Sequence, residues 1–163
     1  MEFESVYAEH YQAVYRFLLS LCRNHALAEE LAQETFVRAM NHWKDYRGQC
    51  APQTWLISIA KNAYFSHRRR EKRLLPGDQD PVVFDYPEAD MEKREVIGQA
   101  HRALHALPEP YREVFSLRVF AELSYAQIAA LFGKSEVWGR VTFFRAKVML
   151  QEAMKEEEDN ERT

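Results

Sequence analysis

Cysteine is nearly missing from this sequence: Cys22 and Cys50 stand alone and in no paired spacing. Neither a disulfide framework nor a thiolate metal site is suggested, and buried or idle thiols are the expectation. Glycine (five) and proline (six) are scarce in 163 residues, and strand-like alternation never persists. Those absences argue against a sheet and predict an all-α fold. No apolar run approaches the length needed to cross a bilayer. Positions 1–20 carry Glu2, Glu4, Glu9 and Arg16 where a secretory leader needs a basic start and an uninterrupted apolar middle, so a cytoplasmic protein is expected. HExxH, phosphate-loop and nucleophile-elbow motifs are missing, and none of the six histidines has a glutamate three residues before it. A helical enzyme built on a di-metal carboxylate bundle is therefore disfavoured, and no cofactor or metal is expected.

Apolar residues make up nearly half of the chain and recur at helical spacing. Val6, Tyr7, Val14, Phe17, Leu18 and Leu21 predict a first helix over 5–23; Leu27, Leu31, Phe36, Met40 and Trp43 predict a second over 26–43. After a loop over 44–51, Pro52 at a first-turn position opens a third helix through Trp55, Leu56, Ile59, Ala60 and Ala63, with Trp55 assigned to the core stripe. The period is lost over 74–90, where LLPGDQDPVVFDYPEAD holds three prolines and four aspartates and reads as a flexible linker. Helices over 91–107 and 111–120 follow, and the charged tail from Lys155 is expected to fray. The predicted organisation is two small helical domains, 1–73 and 91–163, joined by that linker.

The stretch LSYAQIAALFGKSEVWGRVTFFRAK, 123–147, carries the densest local signal. Ser124 with Gln127 forms a capping-box pattern, Ile128, Leu131 and Phe132 share a face, Gly133 supplies a left-handed stop, and Ser135 caps the next helix. Helix, short turn and helix describe a helix-turn-helix, whose second helix enters the major groove of DNA. At about 100° per residue that second helix has two apolar sides, Gly139, Phe143, Ala146 and Leu150 on one, Val137, Val141, Phe144 and Val148 on the other. Only one side can be core. Net charge is −3, with acid collected over 78–95 and 152–161 and base in HRRREKR (67–73) and at Lys134, Arg140, Arg145 and Lys147. An acidic average thus conceals two basic sites of the kind that neutralise phosphates.

Three segments together resemble the extracytoplasmic-function (ECF) sigma factors, promoter-recognition subunits of bacterial RNA polymerase. LPEPYREVFSLRVF leading into the helix-turn-helix, closed by FFRAKVML, is similar to their C-terminal domain; AEELAQETFVRAM (28–40) is similar to the segment that docks on core polymerase; and TWLISIAKNAYFSHRRR (54–70) is similar to the helix that melts and reads the −10 element. Ser66 departs from the pattern, which usually has aspartate there, as do Trp138 and Gly139, where threonine and valine are more frequent.

The resemblance implies a region 2-like domain over 1–73 and a region 4-like domain over 91–163. It implies core-polymerase contacts at Glu29, Glu30, Gln33, Glu34 and Arg38, and −10 contacts at Trp43, Tyr46, Arg47, Gln53, Thr54, Lys61, Asn62, Arg68 and Arg69, a mixture of aromatic platforms and cations suited to unstacked bases. It places Phe143, Ala146 and Leu150 inside, leaving Ser135, Glu136, Val137, Trp138, Arg140, Val141, Phe144 and Arg145 for the −35 element. The implied partners are core RNA polymerase, promoter DNA and an anti-sigma factor, often membrane-anchored, with no small-molecule substrate. A stand-alone dimeric helix-turn-helix regulator is the competing expectation.

Overall fold

The computed structural model describes residues 2–74 and 90–162, and every regular element among them is helical. The chain divides into two compact units, Met1–Val82 and Val83–Thr163. Residues 75–89, most of the expected linker, lie outside the described residues.

The first unit contains α1 (Phe3–Cys22), α2 (His25–Asn41), a 3₁₀ turn (Trp43–Asp45) and α3 (Pro52–Leu74). Two residues suffice to turn α1 into α2. Arg23 adopts the left-handed conformation at φ 56°, and the Asn24 side chain accepts a hydrogen bond from the Leu27 amide at 3.1 Å, capping α2. Each helix packs on the other two, around Val14, Phe17 and Leu18 of α1, Leu31, Ala32 and Phe36 of α2, and Leu56, Ile57, Ala60 and Ala63 of α3.

Two expectations change here. Met40 is 54% exposed, because at about 100° per residue it lies half a turn away from Leu31. Ala39 takes the core position instead, and the α-helix ends at Asn41. On α3, Trp55 and Ile59 are half-buried while Ile57 and Tyr64 are buried, so the core stripe lies beside the expected one.

The second unit contains α4 (Met91–Ala106), α5 (Tyr111–Val119), α6 (Tyr125–Phe132) and α7 (Glu136–Arg162). Asp90 caps α4 through the Lys93 amide at 2.8 Å. The capping box on α6 is complete: the Ser124 hydroxyl accepts from the Gln127 amide at 3.1 Å, and Gln127 Oε1 accepts from the Ser124 amide at 2.8 Å. Gly133 ends α6 at φ 65°, where a side chain would be strained. The long α7 packs against α4, α5 and α6, burying Gly139, Thr142 and Ala146, with Ala146 in one cluster with Leu104 and Leu107.

The tail does not fray as expected. Helix α7 continues to Arg162 because α4 supplies partners: Arg102 donates to Glu157 Oε1 at 3.2 and 2.7 Å, and Gln99 donates to both oxygens of Glu161 at 3.3 and 3.2 Å.

Candidate nucleic-acid and polymerase interfaces

On α2, Glu29, Glu30 and Gln33 stand in solvent, whereas Glu34 and Arg38 pair across one helical turn at 2.5 Å. Charge-assisted pairs of this geometry orient both groups, whereas Glu29 and Glu30 are exposed carboxylates. Beside them lies an apolar groove of about 430 Å³ lined by Phe3, Glu4, Tyr7, Gln33, Phe36, Val37 and Met40. The contacts expected on this helix, Glu29, Glu30, Gln33, Glu34 and Arg38, are all polar and do not include the apolar residues of the groove. The signal was available in Val37 and Met40, which follow Gln33 at four- and seven-residue steps.

The groove continues into an aromatic chain. Phe3 meets Phe36 (6.4 Å between ring centroids) and Trp43 (5.7 Å), and Trp43, Tyr46 and Trp55 lie mutually within 4.9–5.9 Å. The Tyr46 hydroxyl donates to the carbonyl of Cys50, folding the loop back on itself. Trp43 and Tyr46 are therefore half-buried members of a cluster with Trp55 rather than free platforms, and only their outer surfaces face solvent. In the other direction Tyr11 stacks on Tyr15, whose hydroxyl lies 2.8 Å from His25 Nδ1. Burial, then the neighbouring Tyr7 and Glu29, raise the Tyr11 phenol above its ordinary range; burial, then Glu29, does the same to Tyr15.

Arg47 in the loop and Asn62 and Arg69 on α3 are exposed, and Gln53, Lys61 and Arg68 on α3 are half-exposed. Arg68 donates to the Tyr64 hydroxyl at 3.3 Å, which in turn donates to the carbonyl of Leu21 at 3.2 Å, tying the basic end of α3 to α1. At Ser66, where the resembled pattern more often has aspartate, the hydroxyl accepts from Arg69 at 3.1 Å, a contact with a neutral acceptor. Thr54 is a correction. It is 5% exposed with its hydroxyl buried and unpartnered, on the core side of the first turn of α3, and is not part of the exposed surface.

On α7 the outward face is as expected. Ser135 caps the helix through the Trp138 amide at 3.2 Å. Val137 is 64% and Phe144 65% exposed, with Val141 and Val148 also exposed, and Glu136, Arg140 and Arg145 stand among them. Trp138 differs from its neighbours: it is half-buried against Phe132 of α6 (5.2 Å) and braces the turn. Phe143 is on the inner side, half-buried between Phe115 (5.7 Å) and Tyr125 (5.9 Å).

Among the described residues no three His, Cys, Asp or Glu side chains are gathered to hold a metal, and no helix is long and apolar enough to cross a membrane. A three-helix unit with basic and aromatic surface, and a four-helix unit whose helix-turn-helix exposes an apolar and cationic face, describe a DNA-binding protein of two modules.

Comparison with known proteins specifies the modules. Residues 6–74 match sigma-70 region 2 and residues 97–150 match sigma-70 region 4. The chain is 31% identical to the ECF RNA polymerase sigma factor SigM of Bacillus subtilis (strain 168), over 93% of this chain and 94% of that one. It is 28% identical to the RNA polymerase sigma factor YlaC of the same organism, over 98% and 95%. It shares its fold with the sigma factor RpoE of Bartonella quintana, solved in complex with the anti-sigma factor NepR (TM-score 0.79, 24% identity, 94% of this chain and 96% of that one). It also shares its fold with CnrH, solved in complex with the cytosolic domain of CnrY (TM-score 0.70, 20% identity, 94% of this chain and 87% of that one). The chain belongs to the ECF RNA polymerase sigma factors of the sigma-70 family.

Proposed function

We propose that this sigma factor divides its work between the two units, acts in the cytoplasm, performs no catalysis of its own, and is held off by an anti-sigma factor. The first unit docks on core polymerase through Glu29, Glu30 and Gln33, with the Glu34–Arg38 pair beside them, and presents Arg47, Gln53, Lys61, Asn62, Arg68 and Arg69 and the rims of Trp43 and Tyr46 to the −10 element. The second unit places α7 in the major groove of the −35 element. The observation that carries this division is the exposed face of α7, where valines and a phenylalanine stand in water beside arginines, an arrangement suited to thymine methyls and to guanine or phosphate acceptors. A competing anti-sigma factor would profit from covering the same apolar stripe.

Run-off transcription with core polymerase on a genomic promoter library, with and without the protein, tests the reading. Transcripts that appear only on its addition are expected; a footprint on a palindrome by the protein alone would favour the stand-alone regulator. Glu30→Lys is expected to abolish those transcripts while moving stability by no more than about 0.5 kcal/mol, as exposed substitutions do.

A further inference from the structure

Arginines from two different elements converge on one ring. The guanidinium carbon of Arg118, on α5, lies 4.5 Å from the centroid of Tyr125, and that of Arg140, on α7, lies 5.5 Å from it. Arg118 is further fixed by donating to the Leu123 carbonyl at 3.0 Å. Arg140 has a loose alternative in Glu136 one turn earlier at 3.5 Å, with both side chains more than half exposed. An exposed arginine loses several rotors on binding, and a ring that holds it beforehand removes part of that cost.

The approach of α7 to Tyr125 depends on the residue before Arg140. A methyl group at position 139 would lie 3.0 Å from the Tyr125 carbonyl oxygen and 3.7 Å from its Cβ, so a side chain there requires the start of α6 or α7 to give by a few tenths of an ångström. Glycine costs the helix about 1 kcal/mol relative to alanine. At this crossing it permits the contact that sets Arg140 over the ring.

We propose that Tyr125 is a positioning residue for promoter recognition: its ring holds the guanidiniums of Arg118 and Arg140 ready for duplex DNA, and Gly139 allows α7 close enough for it to do so. Two cations on one ring form an anion-attracting pair, and the ring's quadrupole offsets part of their mutual repulsion until a phosphate or guanine edge arrives. The proposal rests on the reading of α7 as the −35 recognition helix, and it adds a residue that touches no base.

The test uses the full chain with core polymerase and a promoter duplex that the wild-type complex selects from a pool randomised over its upstream element. Tyr125→Leu is expected to weaken binding about three- to tenfold, and Tyr125→Phe, which keeps the ring, to stay within about twofold. In an Arg118→Ala/Arg140→Ala background, Tyr125→Leu is expected to cost nothing further, whereas a merely structural tyrosine would cost the same in both backgrounds. Gly139→Val is expected to relax base preference at the position that Arg140→Ala relaxes. If Arg140→Ala leaves binding unchanged, the reading of α7 falls and the proposal with it. If Arg140→Ala weakens binding but Tyr125→Leu does not, or if Tyr125→Phe is as weak as Tyr125→Leu, the positioning role alone is overturned.

Discussion

The two units handle exposed aromatic chemistry in opposite ways. In the first, Trp43, Tyr46 and Trp55 stack on one another and Phe3 closes the cluster toward Phe36; in the second, Phe144 and three valines stand in solvent with ordered helix beneath them. A stacked cluster already has much of its aromatic energy, so a base that joins it must use a rim or displace a ring. An open stripe keeps its apolar surface unspent and gains on contact. The difference fits the proposed division of work, in which the first unit admits a base that has left its duplex and the second reads a groove that stays closed.

Breaking the closed side should have the largest effect. Trp55→Ala removes the ring that Trp43 and Tyr46 share, and is expected to destabilise the first unit by about 2 to 3 kcal/mol in chemical denaturation, below the figure for a fully buried tryptophan because Trp55 is half-exposed. Phe144→Ala on the open side is expected to leave stability within about 0.5 kcal/mol and to weaken binding of the upstream element by about 1 to 2 kcal/mol, measured by competition on the holoenzyme. The reverse pattern would mean that Phe144 is structural.

Alkali offers a gentler way to separate the units. Burial pushes the Cys22 thiol from its ordinary 9.0 up to about 11, and burial also raises Tyr11, Tyr15, Tyr46 and Cys50, all in the first unit. For Cys22 the folded state holds the proton more tightly than the unfolded one. Its contribution is therefore fully present below pH 9 and is lost as the pH rises through 11, on the order of 1 kcal/mol after allowance for partial exposure. Denaturation midpoints at pH 8 and pH 11 should diverge for the native chain and diverge less for Cys22→Ala.

The smallest effect belongs to the far end of α7. Arg102→Gln removes an exposed ion pair with Glu157 and is expected to cost less than about 1 kcal/mol, visible chiefly as faster amide exchange over 151–162.

Local signals account for what was legible in the sequence. The capping box of Ser124 and Gln127, the stop at Gly133 and the two faces of α7 depend on residues within a turn or two of one another, and the structure reproduces them. What was illegible depends on distant partners. Nothing near Glu157 announces that Arg102, 55 positions earlier, will hold the tail helical, and nothing near Tyr125 announces Arg118 and Arg140 on its ring. Met40 and Thr54 failed for a narrower reason: apolar or polar character says which surface a side chain prefers, but one position along a helix rotates it by about 100°.

Because α7 runs unbroken from Glu136 to Arg162, it behaves as a lever arm. From Gly139 to Glu157 it extends about 27 Å, so a tilt of about 10° at the reading end sweeps the acidic end sideways by about 5 Å, beyond the reach of the Arg102 hydrogen bonds. If α7 is the reading helix, as proposed, the clasp between α4 and the tail would register its docking angle, and a spectroscopic pair placed near positions 99 and 161 would report it from outside the groove.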